Sequence, residues 1–294
     1  MPPRTLPPWA IDPAKIDHRA VRLVAAFKDA VARMHAEHGL TFDDIGYVLD
    51  FLLETREVTG ITLAMAAQPL FGDVFQDGGR GYTVSEEVDS PTYLPGSPLI
   101  DNPGRLPMRP DEPGVPLIAS GRVLDGHGDP LAGAEMVIYH AGDDGTYSGF
   151  GTSTQPPYHL RGRQLTDDEG RYRFTTITPV PYSEVPPPLV ERVSAAAAAL
   201  GRSTYRPAHI HYEIHHPDLL KPYRGEIYFA GDPVIPLDII GPYVVPPSAQ
   251  ADLVLHDDPE DIAAHGFDRP FHTAVFDFVL KTRTSPDTAV GAPA

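Results

Sequence analysis

The 294-residue sequence is 41% hydrophobic and 21% charged, an ordinary globular balance that excludes a largely disordered chain. Forty acidic against twenty-three basic residues give a formal charge of -17, which disfavours nucleic acid and anionic membranes as partners. Cysteine is absent, so disulfides, thiolate metal sites and a cysteine nucleophile are excluded, and any metal must be held by nitrogen and oxygen.

The N-terminal MPPRTLPPWAIDP lacks the apolar core of a signal peptide. No stretch approaches the roughly 20 apolar residues of a membrane span, so a cytoplasmic protein without membrane insertion is expected. Residues 1–14 are rich in proline and read as an extended arm. From Asp17 the apolar residues Val21, Val24, Phe27, Val31 and Met34 recur at helical spacing. Gly39 suits the left-handed stop of that helix, and Thr41 begins a capping sequence, TFDD, for the next. The segment 60–71 can add a short helix before Pro69 interrupts it.

Residues 89–116 are proline-rich and irregular, a linker. Short alternating runs follow, such as AEMVIYH at 134–140 and RYRF at 171–174. The turn sequences GHGDP, GDDG and DDEG separate them, and an alanine-rich helix over 189–201 interrupts them. The predicted architecture is mainly β with a helical N-terminal domain, its catalytic core an antiparallel β-sandwich. The boundaries expected are 1–80 for the helical domain, 81–116 for the linker and pocket segment, 117–283 for the sandwich and 284–294 for a loose tail.

The most informative stretch is RPAHIHYEI, Arg206 to Ile214. On a strand, His209 and His211 project to one side while Ile210, Tyr212 and Ile214 face the other. A bare H-x-H pair is more often a polar face than a metal site. Here the flanking arginine and the aliphatic opposite face raise it to a candidate. Without cysteine, further ligands must be carboxylate, tyrosinate or water. A tyrosine, with its pKa near 10, is a poor ligand for divalent ions, whereas ferric iron can hold it as phenolate. Thirteen tyrosines leave the choice open on spacing alone.

The segments at 121–150, 160–174, 179–187 and 205–214, then AGDP at 230–233 and FDRPFHTAVFDFVL at 267–280, together resemble the catechol and hydroxyquinol 1,2-dioxygenases, the intradiol ring-cleaving family. The resemblance covers roughly residues 80–281. It implies a non-haem Fe(III) cofactor bound by Tyr147 in GTYSGF, Tyr182 in PVPYSEV and the pair His209 and His211. It implies a small aromatic diol and O2 as substrates, with Tyr182 leaving the metal to accept a substrate proton and Arg206 stabilising charge on the ring. Pro91 and Thr92 would border the substrate. A homodimer is implied through the N-terminal helices, which can also carry bound lipid.

Two departures concern specificity. Relatives usually carry glutamine where Glu226 stands, so a carboxylate here would pair with Arg206 or bind an extra substrate hydroxyl. Relatives also have glycine and an aliphatic or Phe residue around Pro91, where Ser90 and Thr92 stand. The expected product is a cis,cis-muconate; the alternatives are hydroxyquinol cleavage to maleylacetate, a zinc hydrolase using the two histidines, and a non-catalytic sandwich that binds a ligand.

Overall fold

The computed structural model describes residues 16–59, 67, 77–79, 81–85, 90–151, 153–183, 185, 190–199, 201–238, 249–286 and 289. Two compact units result, 1–57 and 58–294. In the first, the Asp17 carboxylate accepts from the amides of Arg19 and Ala20 and starts α1 (His18–His38), which ends on left-handed Gly39. Thr41 and Asp44 exchange side-chain and backbone hydrogen bonds at the start of α2 (Phe42–Thr59). The apolar stripe read from the sequence is present, but Val21, Val24 and Phe27 are exposed. The helix expected over 60–71 lies almost wholly outside the described residues.

The second unit carries the sheets. A two-stranded ladder joins β1 (Asp77–Gly79) to β2 (Tyr82–Ser85). The long strands are β4 (Pro116–Asp125), β5 (Glu135–Tyr139), β6 (Arg161–Leu165) and β7 (Arg171–Ile177), preceded by the short β3 (Gly104–Arg105). After β8 (Tyr182–Ser183) comes α3 (Val190–Ala199), the alanine-rich helix. Next are β9 (Tyr205–Arg206), β10 (His209–His215), β11 (Tyr223–Phe229) and β12 (Gln250–Ala251). The chain closes with β13 (Leu253–His256), α4 (Pro259–Ala264), β14 (Phe271–Val275) and β15 (Phe278–Leu280).

One sheet runs β12-β11-β10-β5-β6; the other runs β13-β14-β4-β7-β3, with β15 also on β4. The predicted turns close as their residues demand. Asp125 accepts from the amides of His127 and Asp129, and Asp167 accepts from those of Glu169 and Arg171. The expectation of an antiparallel core needs correction, because both sheets are mixed. β14 and β15 run parallel to β4, β3 parallel to β7, and β12 parallel to β11. Alternation within a strand fixes which side chains face inward but carries no information on the direction of a partner far along the chain.

A single hydrophobic cluster draws Leu117 and Ala119 from β4, Met136 and Ile138 from β5, Phe174 from β7, Ile210, Tyr212 and Ile214 from β10, and Phe278 from β15. Phe278 is fully enclosed, edge-on to Tyr212 and Tyr223. Phe278→Ala should therefore cost about 3–5 kcal/mol of unfolding free energy. Denaturant titration checks it, and a loss below 1 kcal/mol would show that this ring does not anchor the two sheets.

Candidate metal centre

The strand β10 lies between β5 and β11, with His211 opposite Tyr139 on one side and Glu226 on the other. Its alternate residues enter the core cluster, so His209 and His211 are turned the other way. They meet a second buried cluster of Val137, Tyr139, Ala141, Tyr147 and Tyr182. Tyr147 arrives on the turn after β5. Tyr182 arrives on β8, paired with Arg206 of β9. Gly145 (φ +72) makes the approach possible, since a Cβ there would come within 2.8 Å of the Tyr182 Cβ.

The four side chains converge on one point. The Tyr147 hydroxyl is 2.8 Å from the Tyr182 hydroxyl, 2.9 Å from His211 Nε2 and 3.4 Å from His209 Nε2. Tyr182 Oη lies 3.1 Å from His209 Nε2, and the two histidine Nε2 atoms are 3.2 Å apart. His209 Nδ1 lies 2.7 Å from the Pro207 carbonyl. A carbonyl only accepts, so Nδ1 carries the proton and Nε2 presents its lone pair. Nδ1 of His211 faces Glu226 Oε1 at 3.3 Å, and the ring stacks on Tyr139 at 4.6 Å. Burial holds the His211 imidazole well below its ordinary pKa, against the pull of Glu226, which leaves it neutral and able to donate.

Beside the donors lies a buried charge network. Arg206 donates to both oxygens of Glu226 at 3.0 and 2.6 Å and to Tyr228 Oη at 2.5 Å, and its Nε lies 3.5 Å from Asp238. Tyr228 also donates to Glu226. Burial pushes the Glu226 carboxyl up, but the Arg206 guanidinium outweighs it and holds the group well below the carboxylate range. Arg206 is thus neutralised by two carboxylates rather than presented as a bare cation. Asp232, from the AGDP sequence, accepts from the Ala208 and Val234 amides and fixes the entry to β10.

Of the residues singled out from the sequence, Tyr147, Tyr182, His209 and His211 come together, with Arg206 and Glu226 paired beside them. Thr92 is buried and its carbonyl accepts from Arg161, whereas Pro91 is exposed. Their neighbours Ser90 and Tyr93 line a cleft with Tyr139, His211, Glu213 and Arg224. Sequence reasoning missed Tyr139, Arg161, Tyr228 and Asp238. The first has a cross-strand register with His211 that only pairing reveals, and Asp238 sits 32 residues from Arg206. A zinc site, the alternative built on the two histidines, would need a carboxylate ligand as well. The structure supplies one, since His209, His211 and Glu226 offer donor atoms all within 4.8 Å of one another.

Residues 88–282 match the family model described as "Dioxygenase". A chlorocatechol 1,2-dioxygenase of Rhodococcus opacus is 32% identical over 230 residues, 75% of this chain and 85% of that one. A catechol 1,2-dioxygenase of Acinetobacter baylyi is 34% identical over 194 residues, 66% of this chain and 60% of that one. The chain belongs to the intradiol dioxygenase family. Among solved structures, the catechol 1,2-dioxygenase of Pseudomonas arvilla superposes with a TM-score of 0.67 at 29% identity, over 94% of this chain and 89% of that one. The hydroxyquinol 1,2-dioxygenase of Pseudomonas putida gives a TM-score of 0.71 over 91% and 93%, at an identity of 24%, and speaks for the fold alone. This dioxygenase is accordingly an oxidoreductase that opens an aromatic diol ring between its hydroxyls with O2. Among the described residues no helix is long and apolar enough to cross a membrane.

The closeness of Gly145 to Tyr182 gives a direct test of how the donors are held. Gly145→Ala should lower stability by about 1–2 kcal/mol and reduce the metal retained on purification. Thermal unfolding and elemental analysis check both; full metal content at unchanged Tm would contradict the packing described.

Proposed function

We propose that this dioxygenase holds ferric iron through Tyr147, Tyr182, His209 and His211 and cleaves a catechol-type diol to a cis,cis-muconate. The observation that carries the reading is the meeting of two phenol and two imidazole donors, all buried, at separations of 2.8–3.4 Å. The donor chemistry fits the ion. Phenols bind well only to a strong Lewis acid that displaces their proton, whereas zinc sites are built from cysteine, histidine and carboxylate. When bound, ferric iron would withdraw electron density from the diol and open its ring carbon to O2.

The protein's own part is orientation, proton handling and exclusion of water. Pro207 and Glu226 fix the two imidazole rings with Nε2 towards the donors. The Tyr182 oxygen is the acceptor for a substrate hydroxyl proton, the role its family position implies. Arg206 faces charge developing on the ring, but Glu226 and Asp238 already engage it. Thr92 and Pro91 belong to the segment that borders the substrate, with Ser90 and Tyr93 in the cleft beside His211. A homodimer contact through α1 and α2 is supported by their exposed Val24, Phe27 and Phe42, where bound lipid would also find an apolar surface.

The ferric-loaded protein should be wine-red from tyrosinate-to-iron charge transfer, and anaerobic addition of the preferred diol should move the band to longer wavelength. Tyr147→Phe should lose a large part of that colour, Tyr182 supplying what remains. A colourless protein after ferric reconstitution would remove the reading. Hydroxyquinol is the alternative substrate, supported by the polar Ser90 and Thr92. Comparing kcat/KM for catechol and hydroxyquinol decides between them.

Glu226→Gln keeps the hydrogen bond to Arg206 and removes the negative charge. It should shift the preference among diols toward more acidic, more fully ionised ones, by about tenfold in kcat/KM ratio for 1.4 kcal/mol of differential interaction. Unchanged kinetics across several substituted catechols would sink the charge assignment.

A further inference from the structure

A second arginine, Arg161 at the start of β6, is deeply buried, at 1% exposure. Its charge is handled differently from that of Arg206. Nε donates to Ser148 Oγ at 3.0 Å and Nη1 to the Thr92 carbonyl at 2.8 Å, while Nη2 is buried with no hydrogen-bond partner. Among the described residues no carboxylate pairs with it. What surrounds it instead is aromatic: the guanidinium carbon lies 5.0 Å from the centre of the Tyr139 ring, 5.5 Å from Tyr147 and 5.3 Å from Phe150.

We propose that Arg161 is a positioning residue of the metal centre, whose uncompensated charge is balanced by the Tyr147 phenolate and which ties that ligand to the pocket wall at Thr92. This rests on the reading of Tyr147 as a ligand. The argument starts from cost. A cation taken out of water without a counter-charge is penalised by several kcal/mol, and ring faces return only about 2 kcal/mol when desolvated. An anion on the Tyr147 oxygen, which exists when the phenol is a ligand, supplies the missing charge within the same buried cluster.

The contacts explain why this placement matters. Ser148 follows Tyr147 in the chain, so the Nε hydrogen bond holds the backbone that carries the ligand. Tyr139 is stacked on His211 and lies edge-on to Tyr147, so one guanidinium packs against supports of two donors. The two tyrosines are thereby made unequal. Tyr147 has an unpaired cation on its ring, whereas the arginine cross-strand from Tyr182 is engaged by Glu226 and Asp238. The tyrosine with the cation is the one retained, and Tyr182 is the one free to leave and take a proton.

The test uses the ferric-reconstituted enzyme and its Arg161→Met, Arg161→Gln and Arg161→Lys variants. A nearby cation lowers the energy of the phenolate electrons, so its removal should move the charge-transfer band of Arg161→Met to longer wavelength. Its kcat should fall roughly tenfold with KM changed less, and Arg161→Lys should return the band towards the wild-type position. Thermal unfolding of the iron-free variants separates stability from tuning. A band and a kcat per bound iron equal to wild type in Arg161→Met, however low its Tm, would overturn the proposal. If that variant does not fold, the Gln and Lys variants decide: a shifted band in Gln alone supports it, and equal bands overturn it. A wild-type enzyme without any tyrosinate band defeats the ligand reading itself, whereas a normal wild-type band that no variant moves defeats only the role of Arg161.

Discussion

The strand β10 is buried on both faces, and its two-residue repeat makes one short segment serve two interiors. Ile210, Tyr212 and Ile214 enter the hydrophobic cluster that joins the two sheets, while His209 and His211 enter the aromatic pocket opposite. A slip of one residue would exchange these sets, placing imidazoles in an apolar core and isoleucines among the tyrosine hydroxyls. The antiparallel ladders to β5 and β11 and the Asp232 contact to the Ala208 amide guard against that slip. The geometry of the donors is therefore a consequence of core packing, and the site inherits the rigidity of the sheet on which it is built.

Charge inside the pocket is distributed unevenly. Arg206 meets Glu226 and Asp238, so that network carries one net negative charge when both carboxylates are ionised. Arg161, on the Tyr147 side, meets oxygens and ring faces only. Each buried arginine costs desolvation energy, and the different ways of offsetting it give the two tyrosine donors different surroundings. A substrate diol would arrive between a carboxylate-rich wall and a cationic one. Glu226 touches both Arg206 and His211 Nδ1, so its charge bears on the arginine wall and on a donor ring alike.

Much of this was legible in the sequence, for local reasons. The two helices announced their ends through Asp17, Gly39 and Thr41, the turns through GHGDP and DDEG, and the facing of His209 and His211 through strand alternation. Tyr147 and Tyr182 could be picked from thirteen tyrosines only through the family resemblance, because spacing alone does not show that residues 35 apart meet at their hydroxyls. What the sequence concealed was non-local. The parallel return of β14 and β15 beside β4, the reach of Asp238 to Arg206, and the stacking of Tyr139 on His211 are set by sheet order rather than by neighbouring residues. Arg161 was hidden for another reason: an arginine on an alternating strand reads as a solvated face, and nothing nearby marks it as buried.

Two donor sets overlap at this centre: the two tyrosines with the two histidines, and the two histidines with Glu226. A crystal structure of the ferric-loaded enzyme, with the metal located by its anomalous scattering at the iron edge, separates them directly. The account predicts the iron peak bonded to Tyr147 Oη, Tyr182 Oη and the Nε2 atoms of His209 and His211, with Glu226 still paired to Arg206. A peak bonded to Glu226 and both histidines, with the tyrosine hydroxyls left outside bonding distance, would contradict it.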